Sequence, residues 1–178
     1  MLSPYARTAY YVPYTGATKA VDLGAFDLKV NGLTIGRGAG NVSSNTANGY
    51  NSLQSNTTGY NNTANGYNSL QLNTSGNFNT ANGYNSLYSN TTGYNNTANG
   101  NSSLVLNTTG TNNTANGFNS LYSNTTGNFN TANGIGSLQL NNIGSYNTAN
   151  GTYSLRGNTT GSNNTATGDG SLRFNTTG

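Results

Sequence analysis

Apolar and polar positions recur along this chain with a period of 17 residues. From Asn45 the phrase NTANG returns at every seventeenth residue, with NTATG in the last unit, which gives seven full units and an eighth that extends to Gly178. In every unit Ala stands at position three and Leu at position nine, while Asn, Thr, Ser and Gly fill most other positions. Two invariant apolar residues per unit predict a thin apolar core that repeats along the chain.

The length of the unit distinguishes between helical and β repeats. A helix-pair repeat needs about 33 to 47 residues, and a unit rich in Gly, Asn, Thr and Ser is also a poor helix former. Invariant glycines at positions five and fifteen allow bends where φ is positive or backbones crowd. The sequence therefore predicts an all-β fold, a parallel β-solenoid (β-roll) of 17-residue coils, each stacked about 4.8 Å from the next.

In-register stacking would place identical positions above one another. Alternation along a strand directs positions two and four to one face, and positions three and five to the other. We expect the leucines and alanines to point inward, and stacked asparagines to share amide hydrogen bonds along the axis. The predicted core ladder comprises Leu53, Leu70, Leu87, Leu104, Leu121, Leu138, Leu155 and Leu172, with Ala47, Ala64, Ala81 and Ala98.

Residues 1–43 do not follow the repeat. They hold both prolines, four of the six Lys and Arg residues, and two of the three Asp residues. Short alternating apolar stretches flank Asn31-Gly32, a dipeptide typical of a hairpin turn. We interpret residues 1–43 as an N-terminal β adaptor or cap for a solenoid of residues 44–178. The glycine-rich segment 36–40 is interpreted as a flexible junction between the two.

The composition argues against an enzyme. Only 5% of residues are charged, Cys, His and Glu are absent, and the acidic residues are Asp22, Asp27 and Asp169. General acid–base catalysis needs a group that titrates near the working pH, usually His or a tuned carboxylate. Without Cys, neither a disulfide nor a thiolate metal site can form. We therefore expect no catalytic residue, no cofactor and no metal site.

The distribution of charge also limits the partners. The net charge of +3 rests on six cations, and residues 38–155 contain no charged side chain. A nucleic-acid interface needs clustered Lys and Arg, so we expect no nucleic-acid partner. No apolar run approaches the length of a membrane span or a secretory signal, and membrane insertion is not expected.

The repeat NTANGYNSLQSNTTGYN resembles the TA-x-G-Y-x-x-L coils in the heads of trimeric autotransporter adhesins, and similar units occur in bacteriophage tail-fibre proteins. The leader YVPYTGATKAVDLGAFDLKVNGLTIGRGAGNVSSNTANGYNSL looks like the region that introduces such repeats in fibre proteins. Together these segments cover nearly all of the chain. The resemblance implies a homotrimer, an elongated shaft and a role in attachment or display. One departure is Asn at position four, where the family usually has Ile.

These observations predict a structural fibre or adhesin shaft, as in a phage tail fibre, that gives length and rigidity for attachment to a host surface. The expected partners are other copies of the chain, in a homotrimer or a filament, and a cell-surface glycan or other host receptor. The expected location is a virion or a cell surface. A thin apolar core also favours association of identical chains.

Two alternatives stay open: an extracellular bacterial surface filament, glycosylated and polymerised head to tail, and, as a minor one, an ice-binding solenoid with a flat Thr-x-Asn face. Aromatic residues at position six suggest a glycan-stacking surface or, alternatively, packing between chains; they are Tyr50, Tyr67, Tyr84 and Phe118. Asn-x-Ser/Thr sequons suggest glycosylation at Asn56, Asn73, Asn90, Asn107 and Asn124, although a chain built of Asn and Thr also produces sequons by chance.

Overall fold

The structure, a computed structural model, describes residues 28–30 and 33–178. The expectations that concern residues 1–27 and the Asn31-Gly32 turn lie outside the described residues. In the described part, ten short strands form one sheet in which every strand pairs with the next in sequence. The strands are β1 (Leu28–Val30), β2 (Leu33–Gly36), β3 (Thr46–Tyr50), β4 (Thr63–Asn65), β5 (Thr80–Asn82), β6 (Thr97–Asn99), β7 (Thr114–Asn116), β8 (Thr131–Asn133), β9 (Thr148–Asn150) and β10 (Thr165–Thr167).

Strands β3 to β10 are parallel and in register at a separation of 17 residues. Thr pairs with Thr, Ala with Ala and Asn with Asn, except that Thr167 lies opposite Asn150 in the last pair. This register confirms the predicted all-β parallel solenoid of 17-residue coils. We number the coils from Asn45; coils 1 to 8 are residues 45–61, 62–78, 79–95, 96–112, 113–129, 130–146, 147–163 and 164–178.

The bends of each coil are made largely by residues other than glycine. Glycine at position five has a positive φ in every coil, but so do the residues at positions seven, nine and seventeen. Position nine is always Leu, with φ between 48° and 51°. Glycine at position fifteen is needed for space instead, since a Cβ on Gly93 would lie 2.4 Å from Asn90 Oδ1 and 2.5 Å from the carbonyl oxygen of Gly110.

The positive φ at position nine predicts that replacing Leu by its isomer Ile destabilises the coil. A β-branched residue is strained at this positive φ, so we expect Leu87→Ile to lower the free energy of unfolding by about 2–4 kcal/mol. Leu87→Met keeps an unbranched Cβ and a similar volume, and should cost less than about 1.5 kcal/mol. Denaturant unfolding of the two variants beside the parent measures the difference. Equal losses would show that the left-handed backbone does not govern the choice of Leu.

The apolar core is one continuous column of alanines and leucines. Ala at position three lies inside every coil and Leu at position nine inside coils 1 to 7, and Leu87 and Leu104 have no exposed surface. Leu172 differs from the expected ladder, because 51% of its surface is exposed. No further coil covers coil 8 in the described residues, which leaves the side chain of Leu172 at the open end of the column.

Polar side chains fill the rest of the interior. Asn at positions one and twelve and Ser at position eight are buried through most of the stack. The hydroxyl of each buried serine donates a hydrogen bond to the glycine carbonyl oxygen three residues earlier; Ser86 Oγ, for example, donates to the carbonyl oxygen of Gly83 at 3.1 Å. Buried polar groups are tolerated when they are hydrogen-bonded. The interior of the solenoid therefore consists of an apolar column beside hydrogen-bonded Asn and Ser side chains.

Two strands before the repeat cover the edge of the first coil's sheet. Strand β2 runs antiparallel to β3, with Ile35 opposite Asn48 and Leu33 opposite Tyr50. Strand β1 pairs antiparallel with β2 on its other side. The backbone groups on this edge of β3 are therefore paired, which removes an edge that would otherwise bind another strand.

The segment that was expected to be a flexible junction instead packs on coil 1. The Ala39 N–H, in a short 3-10 turn (Ala39–Asn41), donates to the carbonyl oxygen of Leu53 at 3.0 Å. A Cβ on Gly38 would lie 2.5 Å from Leu53 Cβ, and one on Gly40 would lie 2.5 Å from the Thr57 carbonyl oxygen. The glycines at residues 38 and 40 thus allow the chain to lie against the coil, and this side of coil 1 is also covered.

Candidate functional site

An internal ladder of amides runs the length of the solenoid at position twelve. Asn90 Nδ2 donates to Asn73 Oδ1 at 2.8 Å and to the carbonyl oxygen of Gly93 at 3.0 Å. Asn90 Oδ1 accepts in turn from Asn107 Nδ2 at 2.9 Å. Every interior amide of this column therefore bonds to the coil on either side and to its own turn.

A second internal ladder stands at position one. Asn79 Oδ1 accepts the backbone N–H of Asn96 at 3.0 Å, and Asn96 Nδ2 donates to the carbonyl oxygen of Gly110 at 2.8 Å. The same bonds recur from coil to coil along the stack. This column ties the start of each strand to the turn that ends the same coil, and so fixes the cross-section.

The candidate glycosylation sites belong to the first of these ladders. All five are at most 2% exposed, and each Nδ2, the atom to which a glycan would be joined, donates a hydrogen bond inside the solenoid. A glycan has no room there in the folded coil. The expectation of glycosylation is therefore corrected for Asn56, Asn73, Asn90, Asn107 and Asn124, which are structural residues.

The outer face of the parallel sheet is flat and uncharged. Threonine at position two and asparagine at position four point outward from the buried alanine between them. The asparagines form an external ladder from Asn65 to Asn150, in which each Nδ2 donates to the next Oδ1 at 2.7 to 2.9 Å. These amides therefore bond along the axis as well as facing the solvent.

The aromatic residues at position six form a stack and one separate ring. Tyr50 and Tyr67 lie with their ring centroids 5.0 Å apart, and Tyr67 and Tyr84 lie 5.4 Å apart, both nearly parallel. Neighbouring rings thus cover both faces of Tyr67, and the stack offers mainly ring edges to the solvent. Coil 4 has Asn101 at this position, so Phe118 lies beyond a gap and does not continue the stack. The four residues are not one glycan-stacking surface.

A second group of exposed rings, which the sequence analysis did not single out, lies at positions sixteen and seventeen. Tyr60 meets Phe78 edge to face at 5.2 Å, and Phe129 stacks on Tyr146 at 4.9 Å. All four are roughly half exposed. The residues at these two positions vary from coil to coil, so no single column of the repeat is consistently aromatic.

A depression of about 120 Å³ opens on the face that carries positions six, seven and ten. It is next to a pair of arginines: Arg156 and Arg173 place Cζ at 5.4 Å and 5.0 Å from the ring centroid of Tyr153. Arg156 Nε also donates to Gln139 Oε1 at 2.8 Å. The lining consists of Phe118, Asn119, Ile135, Gln139, Tyr153 and Arg156, with Gly136 between Asn119 and Tyr153 in the column of position seven.

The geometry defines the class of this protein: a parallel β-solenoid of tandem 17-residue coils that is stabilised by internal amide ladders. Within residues 28–30 and 33–178 there is no group of three or more metal-ligating acidic, His or Cys side chains, and no helix is long and apolar enough to cross a membrane. In comparisons with protein-family models, curated proteins and solved structures, no match to this chain is found.

Proposed function

We propose that this chain is part of a structural shaft, in a phage tail fibre or an adhesin, that holds an attachment element away from a particle or cell surface. The observation that supports this most is the uninterrupted register of β3 to β10. Eight coils follow one another with no insertion, and the amide bonds of positions one and twelve recur through most of the stack. Such regularity produces length and stiffness, whereas recognition sites are usually irregular.

The ladders give the shaft its resistance to bending. Asn at positions one, four and twelve and Thr at position thirteen form separate columns parallel to the axis; Thr91 Oγ1, for example, donates to the Thr108 carbonyl oxygen at 3.1 Å. Bending would lengthen the bonds on one side of the coil stack. At about 4.8 Å per coil, the eight coils span roughly 40 Å.

Exposed apolar side chains support the association of copies into a homotrimer. The rings at positions sixteen and seventeen and leucines at position eleven are roughly half exposed on an otherwise polar surface. Exposed apolar patches are typical of interaction sites, and the two ring pairs Tyr60–Phe78 and Phe129–Tyr146 form such patches. A trimer around the fibre axis would bury such surface and thicken the shaft; the position-eleven leucines are Leu72, Leu106 and Leu140.

Light scattering and small-angle X-ray scattering test this proposal. We expect a mass of three times 18.4 kDa for the full chain. A variant with a second copy of residues 79–146, which are coils 3 to 6, inserted after residue 146 should be longer by about 19 Å with an unchanged cross-section. A compact monomer, or a duplication that does not lengthen the particle, would contradict a shaft.

The alternative of a head-to-tail filament is less well supported. Strands β1 and β2 and the segment 38–41 cover the first coil, so a second copy could stack there only by displacing them. Filaments in electron micrographs of the pure protein would favour this alternative over the shaft. Ice binding through the Thr-x-Asn face stays a minor alternative, and thermal hysteresis measurements test it.

A further inference from the structure

We propose that coils 5 to 8 carry a binding site for a carboxylate-bearing sugar, centred on the depression beside Arg156. The inference deepens the proposed attachment role and rests on it. The proposed site lies where coils 6 and 7 depart from the repeat, and the tyrosine stack at position six is not part of it.

The depression exists because coil 6 lacks a side chain at position seven. Coils 1, 2, 3 and 5 have Asn there, and coil 6 has Gly136. A Cβ on Gly136 would lie 2.7 Å from Tyr153 Cδ1 and Cε1 and 3.4 Å from Gln139 Oε1. The glycine therefore leaves room for the Tyr153 ring. The depression lies beside that ring, between side chains of coils 5, 6 and 7.

The cations outnumber the acidic side chains at this place, since Arg156 and Arg173 share the face with one acidic residue, Asp169 at position six of coil 8. Between residues 38 and 178 the charged side chains are Arg156, Asp169 and Arg173. In the described part of the chain neither arginine forms an ion pair, although the two guanidinium groups flank one ring. Two cations without an ion pair on one face attract anions, and a bound carboxylate would offset their charge.

The two arginines differ in the hydrogen bonds that their guanidinium nitrogens form. Arg156 binds Gln139 through Nε, which leaves its two terminal nitrogens without a hydrogen-bond partner among the described residues. A guanidinium presents such nitrogens as a planar pair that matches the two oxygens of a carboxylate. Arg173 Nε is buried and has no hydrogen-bond partner within residues 28–30 and 33–178, which is unfavourable in a folded protein.

The rest of the lining suits a pyranose ring. Phe118 and Ile135 are 50% and 47% exposed and form an apolar wall, against which the C–H face of a sugar can pack. The Asn119 amide makes no side-chain hydrogen bond in the described structure, because its column neighbours are Ser102 and Gly136 instead of Asn. The depression has a volume of about 120 Å³. An apolar wall, a free amide and an open guanidinium are the groups needed to hold one acidic sugar unit.

The site is tested by titrating the full chain with acidic sugars and following chemical shifts. The probes are a glucuronic acid disaccharide and an N-acetylneuraminic acid disaccharide, which separate two sources of the carboxylate. We expect at least one to bind with a Kd of about 1 mM or tighter. Its methyl ester, which lacks the charge, should bind at least about tenfold more weakly if a charge-assisted hydrogen-bonded pair is lost.

Two substitutions probe the site without removing a core residue. Arg156→Gln introduces the side chain that coils 1 and 2 have in this column, where Gln71 Nε2 bonds to Gln54 Oε1 at 2.8 Å. Gly136→Asn introduces the usual residue of position seven, which tolerates a positive φ, and fills the space beside Tyr153. Each should weaken binding about tenfold or more, while the control Tyr67→Ala, in the tyrosine stack, should leave the affinity unchanged.

Equal affinities for acid and methyl ester, no binding of either probe to the folded chain, or an unchanged affinity in Arg156→Gln would overturn the site. Loss of binding in Tyr67→Ala with normal binding in Gly136→Asn would also overturn it. The scattering experiments on the shaft are independent of these titrations. A trimeric rod that binds no acidic sugar refutes the site alone, and a compact monomer that binds one refutes the shaft alone.

Discussion

Replacing Gly100 by Ala is expected to break the stack between coils 4 and 5. A Cβ on Gly100 would lie 2.7 Å from the carbonyl oxygen of Gly117 and 2.8 Å from its carbonyl carbon. Both are backbone atoms, so no side-chain rotation relieves the overlap. The φ of +138° is also unfavourable for an L-residue. We expect a loss of at least about 4 kcal/mol, and a melting temperature lower by roughly 8–16 °C.

The matched control for this substitution is Gly168→Ala in coil 8. Gly168 has a similar φ of +117°, but nothing lies within 4 Å of the position of its Cβ. Its loss should therefore be limited to backbone strain, about 1–3 kcal/mol. Thermal unfolding by circular dichroism compares the two, and hydrogen exchange should show faster exchange in coils 4 and 5 for Gly100→Ala alone. Similar melting temperatures would mean that contact between coils is not what requires glycine at position five.

Changing one internal amide to a carboxylate should be nearly as damaging. Asn90 is fully buried, and its Nδ2 donates to two oxygens, Asn73 Oδ1 and the Gly93 carbonyl. An ionised Asp at this position has no donor, so its oxygen would face both acceptors inside the solenoid. We expect Asn90→Asp to lower the free energy of unfolding at pH 7 by about 3–5 kcal/mol.

The loss in Asn90→Asp should depend on pH. Asn107 Nδ2 still donates to one oxygen of the new carboxyl, but burial and the two facing acceptor oxygens disfavour its charged form and raise its pKa above the unfolded value of about 3.9. The folded state then binds more protons than the unfolded state, so stability falls as the pH rises from about 4 to the raised pKa. Urea unfolding at pH 3 and pH 7 should therefore show the smaller loss at pH 3.

Asn99→Asp serves as the control for the buried substitution. Asn99 belongs to the external ladder, and its side chain is exposed to water. Water can solvate the carboxylate, so we expect a loss of at most about 1 kcal/mol with little dependence on pH. If both variants lose the same stability, the internal position of the amide ladder is not what makes Asn90 irreplaceable.

The architecture was predictable from the sequence because its two strongest signals are physical requirements of a stacked coil. A constant step of 17 residues keeps Ala above Ala and Leu above Leu, and any insertion would break the column. The inward direction of Ala81 followed from alternation within the strand, and the burial of Leu87 matches the expected direction of the ladder. The positive φ of Leu87 was not predictable, because left-handed backbone is usually read from Gly or Asn.

The interior asparagines were harder to interpret, since polarity and the Asn-x-Thr sequon both suggest a surface position. Asn90 belongs to the buried column of position twelve. The sequence signal for burial at this position is that Asn occurs there in all eight units. The depression was missed for the opposite reason. Gly136, Tyr153 and Arg156 are departures from the repeat, and a comparison of columns treats departures as tolerated variation.

The two ends of the described solenoid differ, and this difference has a consequence for how the protein folds. Strands β1 and β2 pair with one edge of β3. The other edge of β3 pairs with β4, and each later strand pairs with the next in the same way. Contacts join residues only about one coil apart in sequence, so each coil can form soon after it is synthesised. Assembly of the stack can therefore follow the order of synthesis, with each new coil added to the one before it.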